Sequence, residues 1–188
     1  MLSIDGSFEN LIETKKSKFI AFCYYVASEQ DVNKFIGLLH KDYADSTHIC
    51  YAYVLSTPNK EKACDDGEPD GTAGKQILDV IKKKGLSNVL VAVVRYFGGI
   101  KLGAGGLART YRESAVEVIN KSKIVQYDMA YYYTEHIAMA DVKKRLSSIQ
   151  SSGAVVSSIQ YGVDVVVQYY AFAKLNDDYI KCELTKKD

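Results

Sequence analysis

Residues 89–112 read VLVAVVRYFGGIKLGAGGLARTYR. The stretch opens with an unbroken apolar run rich in β-branched residues, which is typical of a strand buried on both faces. Five glycines then follow within nine residues, and they permit positive φ angles and let a ligand approach the backbone. From Leu107 onward the apolar residues recur at helical spacing. We therefore predict a strand, a glycine-rich loop, and a helix whose unpaired N-terminal N–H groups attract anions such as phosphate.

The composition is that of an ordinary globular protein without an overall affinity for nucleic acid. The chain has 188 residues, of which 47% are hydrophobic and 25% charged, and its formal net charge is +1. Any basic surface must be local, because nonspecific binding to phosphate needs concentrated positive charge. The sequence opens without a signal-peptide pattern, and no stretch approaches the roughly 20 apolar residues of a membrane span. We therefore expect a cytoplasmic protein that does not associate with a membrane.

The remaining hydrophobic patterns predict alternating strands and helices. Before the opening stretch we predict strands at residues 19–26 and 47–55, and helices at residues 29–41 and 76–84. After it we predict a strand within residues 122–134, a helix over residues 138–153, and strands at residues 154–160 and 163–173. This order places a domain boundary near Tyr127 and divides the chain into residues 1–126 and residues 127–188.

The longest loop-like part of the chain, which we call the acidic segment, covers residues 58–75 and reads PNKEKACDDGEPDGTAGK. Four carboxylates lie close together in it between glycine and proline residues, namely Asp65, Asp66, Glu68 and Asp70. Loops of this length without structure of their own are usually functional or disordered. The acidic segment is therefore the second candidate for a functional role.

Spacing excludes three familiar motifs for binding phosphate or metal. The G-x-G-x-x-A pattern at residues 103–108 begins about six residues after Phe97, whereas a dinucleotide-binding loop follows its strand directly. Gly74 and Lys75 lack the first glycine and the following Ser or Thr of a P-loop. A calcium loop that began at Asp66 would need its bidentate carboxylate at position 77, which is Ile77.

Two interpretations of the acidic segment and the glycine-rich loop remain. In the first they form an anion site, where backbone N–H groups and nearby cations bind a phosphate while the carboxylates bind Mg²⁺ or pair with the cations. Those cations are Arg95, Lys101, Arg109 and Arg112. In the second the carboxylates cap helices and neutralise arginines, and the glycines only permit close packing. Both interpretations predict that the two loops are neighbours.

One histidine and four scattered cysteines complete the candidates from the residues alone. His48 lies on a predicted strand, where it is either an acid or base near neutral pH or a hydrogen-bonded structural residue. The cysteines lack the paired spacing of a structural zinc site, and a nucleophilic role for Cys50 is disfavoured because its side chain is as well placed to face the core.

Three segments stand out: THICYAY at residues 47–53, CDDGEPDGTAGKQILDVI at residues 64–81 and VVRYFGGIKLGAGGLARTY at residues 93–111. They resemble the signatures of the IMPACT family, also called the YigZ family. The resemblance covers roughly residues 15–125. Gln76 departs from the motif, since that position is commonly proline, and this substitution softens the turn into the helix without removing a charge.

The resemblance implies an α+β protein with two modules. The first is expected to be a two-layer α/β sandwich like the second domain of the small-subunit ribosomal protein number five, as in the fourth domain of elongation factor G and the GHMP kinases. The second is expected to be a ferredoxin-like module resembling the fifth domain of elongation factor G. A complete ferredoxin-like module needs a second helix and a fourth strand after Ala173, and we expect the polar tail from Asn176 to fray or to form a short helix.

The resemblance also implies a ligand-binding cleft, to which the basic pattern adds Arg109. The family's cleft positions correspond to His48, Asp65, Asp66, Glu68, Gly71, Thr72, Arg95, Gly98, Gly99, Lys101, Gly103, Gly105 and Gly106. Asp66, Glu68 and His48 are the candidate catalytic residues, and Asp66 and Glu68 are the candidate ligands of Mg²⁺.

Two hypotheses of function follow. The favoured one is a translation-linked regulatory protein, not an enzyme, that binds RNA, the ribosome or another phosphate-containing ligand through the cleft. The alternative is a Mg²⁺-dependent phosphoryl-transfer or hydrolytic enzyme in which His48 acts as acid or base. Against the alternative, the chain lacks the complete ATP-binding motifs of the kinases that share the predicted fold. We expect no sequence-specific binding to DNA, and the sequence determines neither the ligand nor the oligomeric state.

Overall fold

The computed structural model describes residues 1–187, which form two compact units. The first unit comprises Met1–Val125, and the second begins at Gln126. Each unit has a hydrophobic core of its own. No helix in the described part of the chain is both long and apolar enough to cross a membrane.

The first unit contains six strands and three helices. The strands are β1 (Leu2–Ile4), β2 (Ser7–Thr14), β3 (Ser17–Tyr25), β4 (His48–Ser56), β5 (Asn59–Cys64) and β6 (Val89–Tyr96). The helices are α1 (Glu29–Asp42), α2 (Gly74–Lys83) and α3 (Gly103–Lys121). Helix α1 begins where the sequence predicts it, because Ser28 accepts a hydrogen bond from the Asp31 N–H and the Asp31 side chain accepts one from the Ser28 N–H in return.

Strand β6 is the centre of a five-stranded sheet with the order β2-β3-β6-β4-β5, in which all neighbours are antiparallel. Its residues 89–94 are fully buried. Val89, Val91 and Val93 pack towards α2 and α3, whereas the alternate residues of β6 pack in clusters with residues of α1. Helices therefore cover both faces, which explains why the strand is apolar throughout. The predicted two-layer sandwich is wrong on this point, because α1 adds a third layer.

Elements without a strong apolar pattern also differ from the sequence prediction. Strand β2 precedes the first predicted strand and is half exposed along its length. Strand β5 lies within the acidic segment, at the edge of the sheet, and it is polar because most of its residues are exposed. Helix α3 begins at Gly103 rather than at Leu107. Its first turn was not predicted because glycines, which have low helix propensity, occupy it. The loops that remain are the acidic loop, residues 65–73, and the glycine loop, residues 97–102.

The second unit is an antiparallel sheet with one helix on one face. Strand β7 (Ile124–Ile137) is followed by a short 3-10 helix (Met139–Asp141), α4 (Val142–Ser151), β8 (Val155–Tyr161), β9 (Val165–Ala171) and β10 (Lys181–Lys187). Among the strands of the second unit, the order is β10-β7-β9-β8. Helix α4 packs through Val142 and Ile149 on a cluster that includes Tyr133 and Tyr169.

Over residues 176–187 the polar tail forms no helix, and it supplies the fourth strand of the second unit; Asp188 lies outside the described residues. The register of β10 on β7 runs from the pair Lys181 and Tyr132 to the pair Lys187 and Gln126. This strand is held by backbone hydrogen bonds to β7, which explains why its sequence has no apolar pattern that would predict it. Residues 172–180, all described, contain no second helix. Instead, the Leu175 N–H donates to the Tyr133 hydroxyl at 2.8 Å. The ferredoxin-like interpretation of this unit stays a prediction.

Two glycines in first helical turns differ in the space around them, and they make a matched pair of tests. A Cβ on Gly74 would lie 2.5 Å from the Cys64 backbone nitrogen, whereas a Cβ on Gly105 would meet nothing within 4 Å. We expect Gly74→Ala to lower the free energy of unfolding by about 1–3 kcal/mol through overpacking. Gly105→Ala should raise it by about 0.5–1 kcal/mol, because alanine loses less backbone entropy. Urea unfolding of both variants measures the difference, and equal stabilities would contradict the close seating of α2 on β5.

Candidate functional site

The acidic loop and the glycine loop meet beside the first residue of β4 and the last residues of β6. Between them lies a cavity of about 390 Å³, which we call the cleft. Its lining consists of Thr47, His48, Glu68, Pro69, Arg95, Phe97, Lys101, Leu102, Gly103, Ala104 and Leu107. The sheet register explains this meeting, because His48 on β4 is directly opposite Arg95 on β6.

A buried ion pair forms one wall of the cleft. Arg95 is 5% exposed and Glu68 is 8% exposed. Arg95 Nη1 donates to Glu68 Oε1 at 2.5 Å, and the Tyr111 hydroxyl donates to the same oxygen at 2.8 Å. The guanidinium also lies over the rings of Phe19 and Phe97, 5.4 and 5.6 Å from their centroids. The charge of Glu68 is thus neutralised by Arg95, as the structural interpretation of the carboxylates predicts.

Arg95 keeps one donor without a partner. Its Nε is buried and makes no hydrogen bond to any of residues 1–187. Buried polar groups in proteins are nearly always hydrogen-bonded, and an unsatisfied buried donor costs about 1–3 kcal/mol. Because Arg95 lines the cleft, this donor is a candidate contact for an acceptor atom of a ligand.

Asp65 has a structural role at the start of α2. Its carboxylate accepts hydrogen bonds from the N–H groups of Gly71, Ala73 and Gly74 at 2.8–2.9 Å. Helix α2 has no capping side chain at Ala73 and no acidic residue in its first turn, so the more distant Asp65 supplies the negative charge that a helix N-terminus favours. Asp65 holds the acidic loop in shape and does not line the cleft.

Asp66 orients His48. The Asp66 carboxylate accepts from the Ile49 N–H at 2.6 Å, and its backbone carbonyl lies 2.6 Å from His48 Nδ1. A carbonyl oxygen can only accept, so Nδ1 carries the proton and donates. In the neutral ring Nε2 is then the acceptor, and His48 lines the cleft. His48 is therefore fixed in one tautomer by the acidic loop.

The start of α3 forms the opposite side of the cleft. Leu102 precedes the helix without a capping side chain, and no acidic residue occupies the first turn. Gly103 and Ala104 line the cleft at this N-terminus. Lys101 is exposed beside them, and the structure of residues 1–187 shows no ion pair or side-chain hydrogen bond to it. The positive charges of Lys101 and of the helix N-terminus therefore lie together, and no carboxylate of residues 1–187 pairs with Lys101.

Several predicted site residues lie outside the cleft, and others are needed for close packing or for the conformation of the loops. Gly105 and Arg109 line a separate depression with Arg112. Gly98 is required by packing, because a Cβ there would lie 2.0 Å from the backbone carbon of Lys16. Gly99 has φ of 82°, and Gly106 packs against Leu102. In the acidic loop, Gly71 donates to Asp65 and the Thr72 hydroxyl donates to the Pro69 carbonyl at 2.6 Å.

The apolar part of the cleft has no counterpart among the predicted site residues. Phe97, Pro69, Leu102 and Leu107 line it, and none of them was a candidate. Phe97 is 47% exposed. A large aromatic residue between a buried strand and a glycine pair could have indicated a binding surface, because its side chain lies beyond the part of the strand that packs in the core.

No three His, Cys, Asp or Glu side chains within residues 1–187 are grouped to hold a metal ion. The candidate ligands Asp66 and Glu68 both bind groups of the protein, as described above. Binding of Mg²⁺ at these residues stays a prediction.

Fold and site together define an α+β protein of two units, with a cleft between an acidic loop and a glycine loop. Residues 15–119 match the family model described as the Impact N-terminal domain. The chain belongs to the IMPACT family.

Relatives and a solved structure extend the comparison beyond the first unit. The Bacillus subtilis IMPACT family member YvyE is 36% identical over 167 residues, which cover 88% of this chain and 77% of that one. The Escherichia coli member YigZ is 37% identical over 102 residues, so the alignment spans half of its length. A crystal structure of a hypothetical protein matches with a TM-score of 0.67 at 25% identity, covering 90% of this chain and 84% of that one.

The buried ion pair predicts an unequal effect of two acidic substitutions. We expect Glu68→Ala to lower the free energy of unfolding by about 3–5 kcal/mol, because Arg95 is left charged and buried. Asp70→Ala, an exposed acid of the same loop, should change it by less than about 0.5 kcal/mol. Urea unfolding followed by circular dichroism compares the two. Equal and small losses of unfolding free energy in the two variants would show that the ion pair of Arg95 and Glu68 does not hold the acidic loop in place.

The cysteines should differ in reactivity according to burial. Burial raises the pKa of the Cys50 thiol well above its ordinary value, and it raises that of Cys23 to about 12. At pH 8 we expect iodoacetamide to alkylate Cys50 and Cys23 more than about tenfold slower than Cys64 and Cys182, which are partly exposed. Peptide mass spectrometry over time measures the rates. Rapid labelling of Cys50 would reopen a nucleophilic role for this thiol.

Proposed function

We propose that this protein is a translation-linked regulatory protein that binds RNA, free or within the ribosome, and that the cleft holds one phosphate group of that RNA. The observation that carries the proposal is the unbalanced positive charge at the start of α3. There Lys101, which has no ion pair within residues 1–187, lies beside a helix N-terminus that lacks both a capping side chain and an acidic first turn.

A phosphate in the cleft would meet three kinds of donor. The N–H groups of the first turn of α3 lack intrahelical partners, and Gly103, which lines the cleft, adds no side chain to cover them. Lys101 adds a full charge at the same end of the cleft. The Nε of Arg95, which is buried and has no partner within residues 1–187, is a third donor that a local shift of the cleft wall would have to expose. These donors support an anion as the ligand.

The rest of the cleft suits the sugar and base of a nucleotide. Its volume of about 390 Å³ lies within the roughly 300–1,000 Å³ of small-ligand sites. Phe97, Leu102 and Leu107 give it an apolar wall, and Phe97 exposes nearly half of its surface for stacking. His48 supplies a hydrogen-bonding group of fixed tautomer. A nucleotide unit therefore fits both the polar and the apolar parts of the site.

The link to translation rests on the family resemblance. The predicted likeness of the two modules to the fourth and fifth domains of elongation factor G supports it, and the four-stranded order of the second unit is compatible with a ferredoxin-like sheet. Binding is favoured over catalysis because Glu68 pairs with Arg95, and Asp66 accepts from the Ile49 backbone. The Mg²⁺-dependent mechanism would require Asp66 or Glu68 to leave its present partner and face a metal ion.

Lys101→Ala tests the cleft. We expect the affinity for ribosomes and for single-stranded RNA to fall about five- to tenfold, and the slope of log affinity against log salt to decrease by about one, because one phosphate contact is lost. Lys34→Ala is the matched control, since Lys34 is an exposed lysine of α1, on the other face of the sheet. Co-sedimentation with ribosomes and fluorescence anisotropy at low and physiological salt measure both.

Two results would overturn the proposal. The first is the absence of binding by the wild-type chain to either probe at low salt. The second is an equal loss in Lys101→Ala and Lys34→Ala, which would show that the binding depends on total charge and not on the cleft.

A further inference from the structure

The sheet of the second unit has two unlike faces. One carries Tyr133, Val167 and Tyr169, which pack with α4. Alternate residues of the same strands point to the other face, on which the second unit places no helix in its described residues. The aromatic residues on that other face do not belong to the core of the unit, so its folding does not account for them.

Three of these residues form a continuous aromatic patch on the two central strands. Tyr132 of β7 is directly opposite Tyr170 of β9, and their ring centroids are 5.3 Å apart. Phe172, the residue directly after β9, continues the patch beyond the strand, with its ring 5.8 Å from that of Tyr170. All three side chains are partly exposed. The patch therefore offers ring surface on strands that are held on both sides by neighbours in the sheet.

Two lysines of β10 border the patch. Lys181 Nζ lies 4.4 Å from the centroid of Tyr132, and Lys187 Nζ lies 5.4 Å from that of Phe172. Lys181 also pairs with Glu183 at 2.8 Å, and Lys187 pairs with Asp128 at 3.4 Å. Both pairs are exposed, and exposed pairs contribute little to stability. A phosphate can replace either carboxylate as the partner of the lysine.

We propose that this surface, the aromatic face (Tyr132, Tyr170, Phe172, Lys181 and Lys187), binds single-stranded RNA. Unpaired bases stack on the rings, and the phosphates lie along the two lysines. A base that stacks on Tyr132 displaces the Lys181 ammonium from that ring and leaves it free to contact phosphate. Stacking on aromatic residues of a four-stranded sheet is a general mode of binding unpaired bases. A duplex is excluded, because its bases are already stacked on one another.

This site is independent of the cleft and extends the proposed function to a second surface. The two proposals can fail separately, because Lys101 belongs to the first unit and the aromatic face belongs to the second. If Lys101→Ala does not weaken RNA binding, only the proposal for the cleft fails. If Tyr170→Leu does not weaken it, only the proposal for the aromatic face fails.

Substitution at Tyr170 tests the need for a flat ring. With a fluorescent oligouridylate of about eight nucleotides and the full-length chain, we expect Tyr170→Leu to weaken binding about tenfold, because stacking on one base is lost. Tyr170→Phe keeps the ring and should bind within about twofold of wild type. Tyr161→Leu is the control, since Tyr161 is 67% exposed at the end of β8 and lies outside the aromatic face.

Changes to the nucleic acid separate stacking from charge. An abasic strand of equal length and charge and a duplex RNA should both bind at least about fivefold more weakly than oligouridylate. Lys181→Gln should reduce the salt slope by about one and leave the preference for unpaired bases unchanged. Circular dichroism checks folding, and Phe172→Leu replaces Tyr170→Leu if that variant unfolds.

Three outcomes would overturn this inference. One is equal affinity of Tyr170→Leu, or of its Phe172→Leu replacement, and wild type for oligouridylate. Another is equal affinity of wild type for the abasic strand and for oligouridylate. The third is a wild-type dimer in sedimentation velocity that Tyr170→Leu dissociates without any change in RNA affinity, which would identify the face as a contact between two copies of the chain.

Discussion

Arg95 and Glu68 form a buried ion pair that joins three separated parts of the first unit. Arg95 belongs to β6, Glu68 belongs to the acidic loop, and Tyr111 of α3 donates to the same carboxylate. Burying an ion away from water costs several kcal/mol, so each of these two charges is tolerated in the interior only while the other is present. The pair therefore holds the acidic loop beside the glycine loop, and the cleft exists because the two loops stay together.

The position of the cleft follows from the central strand. Helices on both faces bury residues 89–94 of β6 completely, and the chain reaches the end of the sheet only at Arg95 and the residues after it. The register places His48 next to Arg95 at that end. Polar side chains from β4, β6 and the acidic loop thus converge where the apolar core ends. This arrangement separates the residues that bury the core from those that can meet a ligand.

Patterns with a strong apolar signal were predictable from the sequence. The strand at residues 89–94 and the capped helix beginning at Glu29 lie where they were predicted. Strands β2, β5 and β10 were missed because edge or half-exposed strands owe their stability to backbone pairing, which leaves little trace in side-chain composition. The first turn of α3 was missed because its glycines disfavour a helix on their own, and the following residues anchor it in the core.

The amino-acid sequence alone predicted that an acidic loop and a glycine loop are neighbours, because their residue types resemble a family signature and complement each other in charge. It left open what each carboxylate does. Tertiary contacts assigned Asp65 to the start of α2, Glu68 to Arg95 and Asp66 to the backbone of β4. Three neighbouring acids of similar chemistry have different partners since each points towards a different distant segment. Only the folded chain specifies those distances, and it leaves Lys101 as the cation of the cleft without a protein partner in the described structure.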